Sequence, residues 1–293
     1  MISKYIRLLR PIAWITFLLP FSVGLGLGTT QKSVPYHILF AFLAFISWMS
    51  FSFILNAIAD KNVDKLHDGR SKDMNLAMQP IVTGEISLKK AYLLVILFLF
   101  LSLFFAWFIN IFFFVLICLV NFIGYIYSMP PLRLKTKPIG DILCNAFAAV
   151  GIFIAGLSLN KFFFDIMIVL GSFTLAAVFY IPTVLTDFEF DTKAGLKTSA
   201  VFFGPKKILH IMAVLLVFNI IIWFFIYLNS NIEYRVLSII SIAYSIIFTA
   251  ITNLRLNDDK LNLHENWILI PFPIISFLFI LYGILKFVGW ILI

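Results

Sequence analysis

Fourteen acidic residues occur in this 293-residue chain, and they fall in groups. Asp60, Asp64, Asp68, Asp73 and Glu85 follow one apolar run, and Asp187, Glu189 and Asp191 follow another. Residues four apart on an α-helix drift by only about 40° per step, so Asn56, Asp60 and Asp64 share a face. Asp187 and Asp191 repeat that spacing, displaced from Asp60 and Asp64 by the same 127 residues. Carboxylates at a helix C-terminus are opposed by the macrodipole, and like charges at i,i+4 repel, so each ladder costs stability unless a cation compensates it. Lys61, Lys65, Lys193 and Lys197 could balance them as ordinary solvated helix ends. Two ladders of one spacing at equivalent positions argue instead for a shared task. Carboxylate oxygens at a water-accessible edge suit Mg²⁺, which takes a few carboxylates together with phosphate oxygens from a substrate.

The neighbouring cations fit a diphosphate. Arg70 and Lys72 continue the loop after the first ladder, and a second loop reads Tyr127-Ser128-Met-Pro-Pro-Leu-Arg133-Leu-Lys135-Thr-Lys137. Arg and Lys supply charge-assisted donors to phosphate oxygens. Simple anchoring of a membrane loop is the plainer reading of Arg133, Lys135 and Lys137. Tyr127, Ser128, Arg133 and Lys135 join Arg70 and Lys72 as candidate diphosphate contacts.

The elements that must carry these residues are membrane helices. The chain is 62% hydrophobic and only 12% charged, with 35 Phe, which is more apolar surface than a soluble domain of this length could hide. Uncharged runs near the roughly 20 residues that cross a bilayer core extend over Pro11 to Thr30, Ile38 to Ala59, Ile142 to Asn160, Ile166 to Thr186, Ile208 to Ile232, Val236 to Leu254 and Asn266 to Leu285. Ala91 to Leu132 holds no charge over 42 positions, room for two spans with a turn near Asn110. The expectation is an all-α integral membrane protein of nine spans. Residues 1–293 form one domain, two pseudo-repeated four-helix units plus a ninth helix.

Nine spans place the termini on opposite sides, and the positive-inside rule decides between them. The N-terminus and the loops after even-numbered spans carry 18 of the 22 Lys and Arg; Lys32, Lys161, Arg235 and Lys286 lie on the other side. The N-terminus and both ladders are therefore expected in the cytoplasm, with the C-terminus outside. The net charge of +8 is then mostly topogenic. No soluble module presents the basic face that nucleic acid requires. The basic start before Pro11 precedes no small-residue cleavage pattern, so the first run reads as a retained span.

In this order the motifs resemble those of the UbiA superfamily of intramembrane prenyltransferases. Asn56-Ala-Ile-Ala-Asp60-Lys-Asn-Val-Asp64 is similar to its first motif, Gln79-Pro80-Ile-Val-Thr-Gly84-Glu-Ile-Ser87 to the stretch that follows, and Asp187-Phe-Glu-Phe-Asp191 to its second motif. Ala57 stands where the family has Asp and Gln79 where it has Arg, and Arg70 or Lys72 is the expected substitute cation. The resemblance implies nine helices and Mg²⁺-dependent transfer of a prenyl chain from an isoprenyl diphosphate to a lipophilic acceptor, with Asp60, Asp64, Asp187 and Asp191 catalytic. These four and Asn56 would be the metal ligands. A bundle open laterally to membrane lipid would admit the tail. Tyr127 to Lys135 resembles the chlorophyll-synthase and carotenoid-elongase branches, and Arg10 to Phe21 the carotenoid (lycopene) elongase branch.

A carotenoid or other polyene is accordingly the expected acceptor, with a quinone precursor or glycerol-phosphate lipid as the alternative. A phenolic acid would need a buried cation for its carboxylate, and no span offers an obvious one. A cation-coupled transporter is the competing class, but transporters place ionisable residues near the midplane, whereas these acids map to span ends and loops. Gly24, Gly26 and Gly28 read as close helix packing rather than a dinucleotide loop. Cys118 and Cys144 read as small buried hydrophobes, and four dispersed His exclude a zinc pattern. Asp141 reads as a carboxylate favouring the start of the fifth span.

Overall fold

The computed structural model describes residues 2–29, 35–65, 79–159, 165–256 and 281, and every regular element among them is helical. Helix α1 (Ile2–Leu9) leads through a 3₁₀ turn (Pro11–Trp14) into α2 (Ile15–Gly28), and α3 spans Pro35–Asp64. Then come α4 (Leu88–Trp107), α5 (Ile111–Ser128), α6 (Gly140–Leu157) and α7 (Ile166–Thr186). Two short helices, α8 (Phe188–Lys193) and α9 (Ser199–Phe203), precede α10 (Pro205–Asn229) and α11 (Ile232–Leu256). Eight helical segments among the described residues are long and apolar enough to cross a membrane. The ninth apolar run, 266–285, lies outside the described residues except for residue 281.

Local chemistry sets the boundaries. Asn110 caps α5, its Oδ1 accepting from Phe113 N at 2.8 Å, and so forms the turn expected between the third and fourth spans. Asp165 caps α7 in the same way, with Met167 N at 2.8 Å. Helix α3 runs for 30 residues, about 45 Å at 1.5 Å per residue. That exceeds the roughly 30 Å hydrocarbon core, so its last turns, with Asn56, Asp60 and Asp64, can project beyond it.

Helix α2 packs on α6, and glycines make the approach possible. A Cβ on Gly28 would lie 2.5 Å from the Gly156 carbonyl oxygen, and one on Gly156 would lie 2.6 Å from Leu25 N. The expected small-residue packing is what the structure shows. Pro20 and Pro182 lie inside α2 and α7. Phe100, Phe122, Phe218 and Phe224 face outward, toward lipid, while Phe21, Phe45, Phe113 and Phe153 fill the core.

Candidate active site

The first ladder sits on the last turns of α3, and the loop 129–139 between α5 and α6 folds over it. Lys135 Nζ donates to Asn56 Oδ1 at 2.6 Å and pairs with Asp60 Oδ2 at 2.6 Å. Arg133 Nη2 meets Asp60 Oδ1 at 3.1 Å and the Ala59 carbonyl at 3.3 Å. Ser128 Oγ donates to Asn56 Oδ1 at 3.4 Å. The two loop cations thus supply the compensation that the i,i+4 repulsion demands. Burial holds the Lys135 ammonium below its usual range, with Asp60 opposing part of the shift.

The second ladder starts where α7 ends. Asp187 closes α7 and opens α8, and Asp191 N donates to the Asp187 carbonyl at 2.8 Å, which preserves the helical spacing across the junction. Asp191 is only 8% exposed. Its Oδ2 accepts from Thr198 Oγ1 at 2.9 Å. Burial pushes the Asp191 carboxyl up to about 6; the Thr198 hydrogen bond opposes this, Asp141 and Asp60 add to it, and Lys135 lowers it. Asp191 therefore lies within electrostatic reach of Asp60 and Lys135.

Beneath them is a cavity of about 390 Å³, within the range of small-molecule sites. Arg10, Asp187, Asn145 and Tyr180 contribute its polar lining, and Phe17, Phe153, Phe179 and Trp223 much of the apolar remainder. A smaller cavity of about 160 Å³ adjoins Asn56, Tyr127, Ser128 and Cys144, and it shares Phe17, Phe53 and Asn145 with the larger one. Tyr127 and Tyr180 meet hydroxyl to hydroxyl at 2.9 Å.

All three non-glycine residues at positive φ among the described residues border this region: Arg10 at 50°, Arg133 at 42° and Ile139 at 68°. Such backbone costs about 1–3 kcal/mol per residue and persists only where surroundings impose it.

The donor set fits Mg²⁺ of a particular kind. Among the described residues no group of three or more His, Cys, Asp or Glu side chains could hold a metal ion alone. Mg²⁺ bound through one or two carboxylates plus substrate phosphates needs no such cage. Asp60 and Asp64 on one side and Asp187 and Asp191 on the other could each supply one or two carboxylates to such an ion, with Asn56 Oδ1 as an auxiliary oxygen.

Of the sequence candidates, Asn56, Asp60, Asp64, Ser128, Arg133, Lys135, Asp187 and Asp191 gather around the site. Tyr127 lies deeper, at the inter-cavity wall rather than the cationic rim. Arg70 and Lys72 lie outside the described residues. Gln79 is buried, and its Oε1 has no partner among the described residues. Asp141 begins the fifth span as expected; it is also 1% exposed, and its carboxylate is bound to Ser199 of the other half of the chain. Arg10, just before the first apolar run, is half-buried. The left-handed turn at Arg10 brings its guanidinium to the larger cavity, with Nε buried and unpartnered among the described residues.

An all-helical membrane bundle with paired carboxylates and cations over an apolar cavity defines a class, proteins that handle an anionic head at the membrane edge and an apolar tail within it. The chain belongs to the UbiA prenyltransferase family, whose pattern residues 17–270 match. It is 30% identical over 241 residues to a 4-hydroxybenzoate octaprenyltransferase of Legionella pneumophila (strain Lens), covering 79% of this chain and 80% of that protein. The structure of a UbiA homologue from Archaeoglobus fulgidus bound to DMAPP and Mg²⁺ superposes with a TM-score of 0.88 at 50% identity, over 97% of this chain and 99% of that one. A digeranylgeranylglyceryl phosphate synthase structure shares the fold, with a TM-score of 0.72 at 22% identity over 97% of this chain and 98% of that one.

Proposed function

We propose that this prenyltransferase moves a prenyl chain from an isoprenyl diphosphate to a lipophilic acceptor, with Asp60, Asp64, Asp187 and Asp191 holding Mg²⁺ against the diphosphate. What supports this reading is that Asp60 lies between Arg133 and Lys135, that Asp191, from the other half of the chain, feels the charges of Asp60 and Lys135, and that Asp187 lines an apolar cavity. The Archaeoglobus relative bound to DMAPP and Mg²⁺ supports the substrate class. When bound, Mg²⁺ supplies charge neutralisation at the leaving diphosphate. Lys135 and Arg133 then serve as donors to diphosphate oxygens, exchanging part of their contact with Asp60 for the substrate. The apolar cavity keeps water from the allylic cation, which the acceptor attacks. Purified protein should release diphosphate from a prenyl diphosphate only with Mg²⁺, and release that ignores Mg²⁺ would reject this reading.

The acceptor has two readings. A polyene or other isoprenoid lipid suits the apolar cavity wall. A quinone precursor bearing a carboxylate is favoured by Arg10, whose unpartnered Nε lies buried beside the cavity, and by the Legionella relative. Lipid extracts from cells with and without the gene separate them: loss of quinones alone rejects the polyene acceptor, and loss of carotenoids alone rejects the aromatic acid.

The same reading places the site in the cytoplasm, the ninth run as a final span and the C-terminus outside, with two four-helix units making one domain. Reporter fusions in the loop 61–88 should report cytoplasm, and an external signal there overturns the orientation.

A further inference from the structure

We propose that Asp141 is a positioning residue which, through the Thr198-Ser199 pair, clamps the loop 129–139 to the turn before α9 and so fixes the Asp191 carboxylate opposite the first ladder. This rests on the metal-and-diphosphate reading above. As a simple helix-start residue, Asp141 would need only one contact, and it has that contact: Oδ1 accepts from Ile142 N at 2.8 Å. The same Oδ1 also accepts from Ser199 Oγ, and Oδ2 accepts from Ser199 N at 2.7 Å. Ser199 Oγ in turn accepts from Ile139 N at 2.8 Å, the residue at φ 68° that closes the cationic loop.

The adjacent residue completes the connection. Thr198 Oγ1 donates to Asp191 Oδ2 at 2.9 Å, and Thr198 and Ser199 are both buried. Ion pairs, hydrogen bonds and two short stretches of main chain therefore join Asp60 to Arg133 and Lys135, their loop to Ile139, Ile139 and Asp141 to Ser199, and the adjacent Thr198 to Asp191. Burying a carboxylate is expensive unless its oxygens are satisfied. Here three donors satisfy it, and two of them belong to a residue 58 positions away. Outer-shell groups of this kind orient ligating carboxylates, and their loss commonly weakens metal binding by about 10- to 100-fold.

The test uses full-length protein in detergent, with Mg²⁺ and inorganic diphosphate as probes. The quantity read is the Mg²⁺ concentration that half-saturates the rise in melting temperature, which reports binding without turnover. Thr198→Val removes the hydroxyl at nearly constant shape and should raise that concentration about tenfold or more. Thr198→Ser, which keeps the hydroxyl, should restore it, and Asp141→Asn should raise it in the same direction. Should Asp141→Asn fail to fold, the Val and Ser pair still decides. A lowered metal-free melting temperature with an unchanged Mg²⁺ half-point in Thr198→Val would overturn the clamp and leave a purely structural role. No Mg²⁺-dependent rise in the wild type would instead overturn the metal-and-diphosphate reading, and the clamp with it.

Discussion

The ladder on α3 and the ladder at the α7–α8 junction have the same spacing and are held in opposite ways. Asp60 is neutralised by two cations, Arg133 at 3.1 Å and Lys135 at 2.6 Å, both from one strained loop. Asp191 has a hydroxyl on Oδ2 and is pushed up to about 6, chiefly by burial. Equal sequence patterns have therefore produced one side compensated by charge and one oriented by a neutral hydrogen bond. The difference suits a ligand with both charges: the first side brings cations that can turn to an anionic diphosphate, and the second leaves a carboxylate for a divalent cation.

The largest effects should come from the carboxylates. Asp→Asn at Asp60, Asp64, Asp187 or Asp191 removes a charge at constant size. Losing about 3 kcal/mol of transition-state stabilisation lowers the rate more than a hundredfold. Steady-state prenyl transfer should show that loss, with only small changes in melting temperature except at Asp60, whose carboxylate compensates Arg133 and Lys135. Asp68→Asn and Asp73→Asn, which have no carboxylate counterpart 127 residues on and lie outside the described residues, should keep near-normal rates. If the ladders were ordinary surface ion pairs worth about 0–1 kcal/mol, all of these variants would behave alike.

The cationic side should respond next. Lys135→Met removes the donor shared by Asn56 and Asp60. A hydrogen bond to a charged group contributes about 1.5–3 kcal/mol, so prenyl-diphosphate turnover should fall roughly 10- to 100-fold. A loss of thermal stability should accompany it, because among the described residues Asp60 then keeps only Arg133. Stability lost with turnover intact would mean that Lys135 serves the fold alone.

The hydroxyl-bonded side offers a pH test with a definite sign. The folded Asp191 carboxyl is raised from its ordinary value of 3.8 to about 6. The folded protein thus holds this proton more tightly than the unfolded chain, and the contribution to stability present below 3.8 is lost as pH rises through about 6. Asp191→Asn does not ionise. In metal-free protein, its melting temperature relative to wild type should rise between pH 4 and about 6. A pH-independent difference would contradict the burial that distinguishes the second ladder.

The smallest effect is expected away from both ladders. Arg7 and Glu85 form a partly exposed pair at 2.5 Å. Exposed pairs of this kind contribute little because water screens them, so Arg7→Ala should lower the melting temperature slightly and leave turnover unchanged.

Both ladders were legible in the sequence because i,i+4 spacing is a local property of one helix. The Asn110 turn was legible for the same reason, since a single polar residue interrupting an apolar run has few other meanings. What joins the ladders was not legible. Asp141 and Ser199 are 58 residues apart, and neither belongs to a periodic pattern. Arg10 read as a flanking charge because its placement depends on a left-handed turn that composition does not signal. The Phe-rich runs could not be divided into lipid-facing and cavity-lining rings, because all-round apolar helices carry no one-sided pattern. Packing alone separates Phe100 and Phe218 on the outside from Phe17, Phe153 and Phe179 at the cavity.

The central claim is that both ladders serve one reaction centre, and a double-mutant cycle on Asp64→Asn and Asp191→Asn tests it most directly. Side chains acting as a unit are strongly non-additive, whereas independent sites add. With kcat/KM for Mg²⁺-dependent prenyl transfer as the readout, each single variant should lose more than a hundredfold, about 3 kcal/mol, and the double variant should lose little beyond either one. Strict multiplication of the two losses, or near-normal transfer by either single variant, would contradict the account.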